Sequence, residues 1–192
     1  MKNRKGKIIF VTGGARSGKS SFALELANNP VFSKEGVRGG GKVFPAPRKA
    51  YIATAQALDN EMKERIERHK KMRSADWMTF EEPINVSSLI KDIHSEYDII
   101  LIDCLTLWLS NIMHAGFDIA REIENLVHSL RTARHSLRIY IVSNEVGQGI
   151  VPDNALARRF RDMAGELNQK IAEIADKVFL VTAGIPLKIK GD

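Results

Sequence analysis

The chain has 192 residues, 44% of them hydrophobic and 27% charged, a composition typical of a globular protein with one buried core. Its single cysteine, Cys104, excludes an internal disulfide framework and fits a reducing cytoplasm. The formal net charge of +6 comes with no nucleic-acid-binding motif, so we expect no nucleic-acid partner. No apolar run approaches the ~18 residues of a membrane span, and the apolar run after the basic start is too short for a signal peptide. We therefore predict a soluble, cytoplasmic protein.

Apolar runs rich in β-branched residues alternate with amphipathic stretches along the chain. This alternation predicts an α/β fold with a mainly parallel sheet, and the near-continuous hydrophobicity of the strands indicates helices on both faces. The predicted strands are Lys7–Thr12, Ala50–Ala53, Ile99–Asp103, Arg138–Ser143, Lys177–Thr182 and Leu187–Lys190. The predicted helices are Lys19–Ala27, Leu58–Met72, Val86–His94, Thr106–His114, Ile119–His135 and Asn154–Ala175.

One segment, residues 28–49, differs from the rest. It carries Gly36, three consecutive glycines at 39–41 and three prolines, and it has no periodicity. Such a composition predicts a mobile surface loop. Because the sequence contains no internal repeat and no second compositional region, we predict one domain over residues 1–192.

The segment from residue 13 to residue 20 matches G-x-x-x-x-G-K-[ST] in full, between a predicted strand and a predicted helix. The residues of this phosphate loop are Gly13, Gly14, Ala15, Arg16, Ser17, Gly18, Lys19 and Ser20. Glycines let backbone N–H groups surround phosphate oxygens, and the helix N-terminus adds a positive dipole. We expect Lys19 to reach the β- and γ-phosphates of a nucleotide and the Ser20 hydroxyl to bind Mg²⁺.

An acidic residue, Asp103, ends the apolar strand 99–103. Ligands of open α/β sheets bind beyond the carboxyl ends of the strands, so Asp103 is a candidate magnesium carboxylate. The alternative is a cap for the helix that follows. We expect the neighbouring Cys104 to be a small buried hydrophobic residue and not a nucleophile.

A histidine shares a helical stripe with apolar residues: Leu58, Met62, Ile66 and His69 are spaced four, four and three apart. Arg65 and Arg73 lie one turn to either side of His69 and create a field that attracts anions. A neutral imidazole there could attack phosphorus and form a phosphoramidate. Spacing alone leaves the commoner alternative open, which is a histidine that merely packs or faces solvent.

A second polar cluster, Asn144 and Glu145, follows the strand 138–143. We predict that this strand ends on the same sheet edge as the phosphate loop. The two side chains either orient the substrate or the waters of a metal, or satisfy backbone groups of the glycine-containing loop that follows.

These motifs occur in one order along nearly the whole chain. They are residues 11–20 (VTGGARSGKS), 51–56 (YIATAQ), 59–62 (DNEM), 65–70 (RIERHK), 144–147 (NEVG), 149–152 (GIVP), 157–158 (AR), 160–162 (FRD), 168–169 (NQ), 175–178 (ADKV) and 184–186 (GIP). With them the chain resembles the bifunctional adenosylcobinamide kinase / adenosylcobinamide-phosphate guanylyltransferases of cobalamin synthesis. Two features depart from that family: Arg68-His69 stands where some relatives have paired histidines, and the 28–49 segment is longer than usual.

The resemblance implies a three-layer, RecA-like P-loop NTPase fold and two reactions. In the first, ATP or GTP phosphorylates adenosylcobinamide. In the second, GMP passes from GTP to the resulting phosphate and pyrophosphate is released. The resemblance also implies that His69 carries the GMP and that the protein is a homo-oligomer, specifically a trimer. Two other functions stay open, namely a small-molecule kinase without nucleotidyl transfer and a non-catalytic RecA-like nucleotide-binding regulator.

Overall fold

The structure is a computed structural model that describes residues 6–29, 46–135 and 137–191. Most of the glycine-rich segment predicted at 28–49, namely residues 30–45, lies outside the described residues. Within the described ranges, none of the helices combines the length and the apolar character needed to cross a lipid bilayer.

A single sheet organises the described residues. Its strands are β1 (Lys7–Gly13), β2 (Lys49–Ala53), β3 (Trp77–Glu81), β4 (Ile99–Asp103), β5 (Arg138–Asn144), β6 (Lys177–Thr182) and β7 (Ile185–Lys190). They lie in the order β3-β2-β4-β5-β1-β6-β7, and all neighbours are parallel except β7, which runs antiparallel to β6. The carboxyl ends of β1, β2, β4 and β5 therefore meet at one edge of the sheet.

Helices cover both faces of this sheet. They are α1 (Lys19–Asn28), α2 (Asn60–Lys71), α3 (Val86–Ile93), α4 (Leu105–His114), α5 (Ile119–Ala133) and α6 (Ala155–Ile174). The larger core packs residues of α3, α4, α5 and α6 against one face, and the smaller core packs α1 against the other. The predicted α/β fold with a mainly parallel sheet is confirmed.

Two predictions about the elements were wrong in detail. The strand β3 was missed because it lies at the sheet edge, where only Trp77 of its five residues is buried and no apolar run results. The helix predicted from Leu58 begins at Asn60, because the Asp59 carboxylate accepts the backbone N–H of Met62 and caps the helix there. Leu58 is 81% exposed and does not join the apolar stripe.

One buried indole, that of Trp108, packs in the larger core and stabilises it. Trp108 of α4 is fully buried, and its Nε1–H donates to the Ile84 carbonyl at 2.9 Å. The indole therefore fills volume and satisfies a backbone acceptor of the connection that precedes α3.

We expect Trp108→Phe to lower the free energy of unfolding by about 1–3 kcal/mol, because it removes buried volume and leaves the Ile84 carbonyl without its donor. Urea denaturation measures this change. Leu156→Ala, at a side chain that is 62% exposed, is the control and should change stability by less than about 0.5 kcal/mol. Equal effects of the two substitutions would contradict this role of the indole.

Cys104 is buried at the start of α4, as predicted. It is 6% exposed, and its N–H and C=O both bond the Thr54 hydroxyl at 2.8 Å. Burial, together with the negative charge of the adjacent Asp103, raises the pKa of the Cys104 thiol to about 11. The thiol is thus protonated at neutral pH.

We expect the native protein to resist alkylation by iodoacetamide at neutral pH, because the thiolate is the reactive form and Cys104 is both protonated and enclosed. Mass spectrometry of the treated protein measures the modification, and the same protein unfolded in urea serves as the control. Alkylation of the native protein as fast as of the unfolded chain would show that this thiol is not enclosed.

Candidate active site

The phosphate loop connects β1 to α1 and takes a backbone shape that only glycine tolerates at two positions. Gly13 has φ +148° and Gly18 has φ +95°. A Cβ on Gly13 would lie 2.2 Å from the Val181 carbonyl oxygen, so β6 leaves no room for any side chain there. The sequence motif therefore occupies the strand–loop–helix context that it requires.

Lys19 is the first residue of α1 and is folded back over the loop. It is only 6% exposed, and its Nζ donates to the Gly14 carbonyl at 2.5 Å. Burial is the largest cause that lowers the pKa of Lys19, and the negative charge of Asp103 opposes this effect. The ammonium group is thus held at the loop, where it can exchange the Gly14 carbonyl for a phosphate oxygen.

Asp103 ends β4 at the same edge of the sheet, and its side chain is 9% exposed. The carboxylate atom Oδ2 accepts the Tyr51 hydroxyl at 2.6 Å and lies 3.4 Å from Nδ1 of His69. Burial by itself would raise the pKa of Asp103, but hydrogen bonds from His69, Tyr51 and Ser20 outweigh it and lower the pKa. Asp103 is therefore a carboxylate. The N-cap of α4 is Cys104, so the structure does not support the helix-cap alternative for Asp103.

Tyr51, whose hydroxyl donates the 2.6 Å hydrogen bond to Asp103, belongs to β2. Burial, followed by the charge of Asp103, raises the pKa of Tyr51 well above its ordinary value. The phenol therefore keeps its proton and donates a hydrogen bond to the carboxylate. Sequence reasoning missed this residue. Its side chain reaches Asp103 only because β2 pairs with β4 in the register that sets Ala53 beside Asp103, and the sequence gives no sign of that register.

The helix α2 brings His69 to Asp103. The His69 side chain is 25% exposed, and each side chain of α2 is at least partly exposed. Two further contacts join this region to the phosphate loop and α1: Arg16 lies 3.7 Å from Glu61, and the Ser21 hydroxyl lies 3.8 Å from the sulfur of Met72. The structure thus places the histidine beside the loop that sequence reasoning identified separately.

A cavity of about 590 Å³ opens between α2 and the ends of β2 and β4. Its apolar wall includes Ala53, Ile66, Pro83 and Leu107, and its polar wall includes Arg65, His69, Arg73, Glu81 and Asp103. Both arginines predicted near His69 line this cavity. The Arg73 guanidinium lies 3.5 Å from the centre of the Tyr51 ring, and its Nη1 donates to the Thr79 hydroxyl at 3.3 Å. A space of this size, with apolar walls and a few charged groups, suits an organic ligand that carries phosphate.

The cluster after β5 is tied into its own loop. Asn144 lies beside Gly13 in the sheet, its N–H donates to the Thr106 hydroxyl at 2.6 Å, and its carbonyl accepts from Asn168 at 3.1 Å. The Glu145 N–H donates to the Gly13 carbonyl at 2.9 Å, and its carboxylate accepts the N–H of Gly147 at 2.6 Å. These contacts fit the alternative in which the two residues support the loops.

The residues that could hold magnesium are Ser20 and Asp103. In the part of the chain that the structure describes, no three His, Cys, Asp or Glu side chains form a group able to hold a metal ion. Magnesium at phosphate-transfer sites binds one or two protein oxygens and takes its other ligands from phosphates and water. A hydroxyl that faces an ionised carboxylate at the phosphate loop therefore fits this ion.

The chain is similar over nearly its whole length to bifunctional adenosylcobalamin biosynthesis proteins of bacteria. The chain is 41% identical to the bifunctional adenosylcobalamin biosynthesis protein CobU of Salmonella typhimurium, over 95% of this chain and 99% of that protein. It is 39% identical to the bifunctional adenosylcobalamin biosynthesis protein CobP of Pseudomonas aeruginosa, over 95% of this chain and 97% of that protein. The CobU protein of Escherichia coli is 36% identical, over 95% of this chain and 99% of its own length.

Among solved structures, the RadB recombinase has a similar fold. The TM-score is 0.51 at 12% identity, and the match covers 92% of this chain and 74% of that one. This likeness confirms the predicted RecA-like P-loop fold. The family model of cobinamide kinase / cobinamide phosphate guanyltransferase matches residues 9–189. On this match and on three relatives aligned over nearly their whole length, the chain belongs to the cobinamide kinase / cobinamide phosphate guanyltransferase family.

Proposed function

We propose that this chain carries out both reactions of its family at one site built on the phosphate loop. It phosphorylates adenosylcobinamide with ATP or GTP, and it then transfers GMP from GTP to that phosphate through a guanylyl-histidine on His69. The products of the second reaction are adenosylcobinamide-GDP and pyrophosphate. The observation that carries the proposal is the 3.4 Å approach of the His69 imidazole to Asp103, beside the loop that holds Lys19.

In the kinase reaction, the hydroxyl of adenosylcobinamide attacks the γ-phosphorus and the nucleoside diphosphate leaves. The loop N–H groups and the Lys19 ammonium hold the phosphates in place and offset the negative charge that grows on them. Magnesium held by Ser20 and Asp103 would neutralise part of the same charge. The buried position of Lys19 supports this role, because a charge shielded from water acts more strongly on a nearby phosphate.

In the transfer reaction, one nitrogen of His69 attacks the α-phosphorus of GTP. A P–N bond forms, the bond to pyrophosphate breaks, and pyrophosphate leaves. An oxygen of the cobinamide phosphate then attacks the guanylyl group, a P–O bond forms and the P–N bond breaks. Covalent catalysis divides one difficult displacement into two easier ones, and the hydrogen bond to Asp103 orients the imidazole for both.

The cavity beside His69 supports a place for the acceptor. Arg65 and Arg73 line it, and guanidinium groups bind phosphate through several N–H donors. We assign these two arginines to the phosphate of the incoming cobinamide phosphate. Asn144 and Glu145 then act indirectly, by holding the loop that adjoins Gly13.

A corrinoid is large relative to a cavity of about 590 Å³. We therefore include in the proposal a homo-oligomer in which a neighbouring subunit completes the pocket, and the family resemblance suggests that it is a trimer. We also include one catalytic domain per chain and, from the single cysteine, a reducing cytoplasm as its compartment.

We expect Lys19→Ala to lower the rate of the kinase reaction by roughly 100-fold or more, because the developing phosphate charge loses its buried partner. Turnover of adenosylcobinamide with ATP and with GTP measures the change. Lys91→Ala removes an exposed lysine of α3 and should keep full activity. Near-normal turnover of Lys19→Ala, with the fold intact by circular dichroism, would refute the role given to Lys19.

We expect His69→Ala to abolish guanylyl transfer and to leave the kinase reaction within a few-fold of its normal rate. Incubation with GTP that carries a radioactive α-phosphate measures the intermediate. The wild type should gain a label that is labile in acid and stable in alkali, which is the behaviour of a phosphoramidate. His128→Ala, at an exposed histidine of α5, should label normally.

Two outcomes of the labelling experiment would contradict the proposal. A wild-type enzyme that phosphorylates its substrate well but takes up no label would be a kinase without nucleotidyl transfer. Label that persists in His69→Ala would mean that another residue carries the GMP.

A further inference from the structure

The hydroxyl of Tyr51 has a position set by packing and not by solvent. Tyr51 is 1% exposed, Trp77 packs edge-on against its ring at a centroid distance of 6.1 Å, and the Arg73 guanidinium covers it at 3.5 Å. The backbone on both sides of it is paired in the sheet, with β3 and with β4. Packing restricts the ring to one orientation, so the position of the hydroxyl in the site is fixed.

That fixed hydroxyl and the histidine share one carboxylate oxygen. The Tyr51 hydroxyl donates to Oδ2 of Asp103 at 2.6 Å, and Nδ1 of His69 lies 3.4 Å from the same atom. A carboxylate can turn about its Cβ–Cγ bond, and Ser20 offers it another hydrogen bond at the phosphate loop. The bond from Tyr51 resists this rotation and keeps Oδ2 on the side of His69.

From this arrangement we propose that Tyr51 is a positioning residue for guanylyl transfer. It holds Oδ2 of Asp103 where that oxygen accepts a hydrogen bond from the Nδ1–H of His69, which leaves the lone pair on Nε2 as the nucleophile. The inference rests on the proposed function of His69 as the carrier of GMP.

In this step Nε2 is the nucleophile and Nδ1 keeps its proton. Nε2 forms the bond to the α-phosphorus as the bond to pyrophosphate breaks, and the ring gains a positive charge. The Nδ1 proton stays between the ring and Asp103, so the carboxylate offsets this charge without moving the proton. When the cobinamide phosphate takes the guanylyl group, the electron pair of the P–N bond returns to Nε2, and the imidazole is again neutral.

This role predicts an unequal effect on the two reactions. The kinase reaction uses the loop, Lys19 and the magnesium that Ser20 and Asp103 would hold. The carboxylate keeps its charge for this ion without the Tyr51 hydroxyl. The transfer depends in addition on which nitrogen of His69 is free. Loss of the Tyr51 hydroxyl should therefore slow formation of the guanylyl-enzyme and leave phosphorylation nearly unchanged.

Tyr51→Phe tests the role of the hydroxyl, since phenylalanine lacks that group but keeps the ring against Trp77 and Arg73. The matched control is Tyr140→Phe. Tyr140 lies in β5 in the same row across the sheet, with Leu101 between the two tyrosines, and it is 2% exposed. Its hydroxyl bonds the Leu26 carbonyl at 3.3 Å, so it is a buried phenol that contacts a different partner.

The first measurement is the single-turnover rate at which saturating GTP with a radioactive α-phosphate labels the enzyme, with kinase turnover measured on the same preparations. We expect Tyr51→Phe to be labelled roughly 10- to 100-fold more slowly, the effect of losing one hydrogen bond to a charged group. Its kinase rate should stay within about threefold of wild type, and Tyr140→Phe should match wild type in both reactions.

The second measurement is nitrogen NMR of the imidazole rings at about pH 8.5, where an ordinary histidine is neutral. The signals of His69 among the five histidines are identified by their loss in His69→Gln. We expect the proton of His69 on Nδ1 in the wild type and on a mixture of both nitrogens in Tyr51→Phe.

The outcomes separate this inference from the proposed function. Normal labelling of Tyr51→Phe, an equal loss of both reactions, or a wild-type proton on Nε2 would overturn the role of Tyr51 while His69 stays the carrier. Persistent labelling of His69→Ala would instead remove the proposed function on which the inference rests.

Discussion

A carboxylate shielded from water must be given donors, and the arrangement of this site follows from that requirement at Asp103. An ionised carboxylate with no partner in such a place would cost several kcal/mol. Its donors come from three separate elements: Tyr51 from β2, His69 from α2 and Ser20 from the start of α1. Because the same charge needs all of them, α2 is drawn toward the phosphate loop even though no side chain of α2 is fully buried among the described residues.

The parallel sheet makes this convergence possible. With β1, β4 and β5 side by side and β2 next to β4, the chain leaves the sheet at one edge after each strand. The phosphate loop follows β1, Asp103 ends β4 and the Asn144 loop follows β5, so residues far apart in sequence meet within hydrogen-bond distance. Gly13 is part of the same constraint, since the closeness of β6 permits no side chain where the loop begins.

The sequence predicted the parts of the molecule that depend on local pattern. Buried strands with β-branched runs and the phosphate loop carry their signal in consecutive residues, and their bounds agree with the structure to within one or two residues. The missed strand β3 and the misplaced start at Leu58 depend instead on context, namely an edge position and the Asp59 cap. The meeting of Tyr51, Asp103 and His69 depends on strand register and on the orientation of α2, which no single-sequence pattern encodes.

The proposed mechanism lets one carboxylate at the centre of a small site serve two chemistries. In the proposed mechanism, phosphoryl transfer uses the charge held at the loop by Lys19 and Ser20, and nucleotidyl transfer uses the histidine of α2 as an oriented nucleophile. Asp103 contacts both groups, so neither reaction needs a separate acidic residue. In the role we propose for it, the hydroxyl of Tyr51 fixes one oxygen of Asp103 toward His69 and leaves the other oxygen to the phosphate loop, so that one carboxylate serves both reactions.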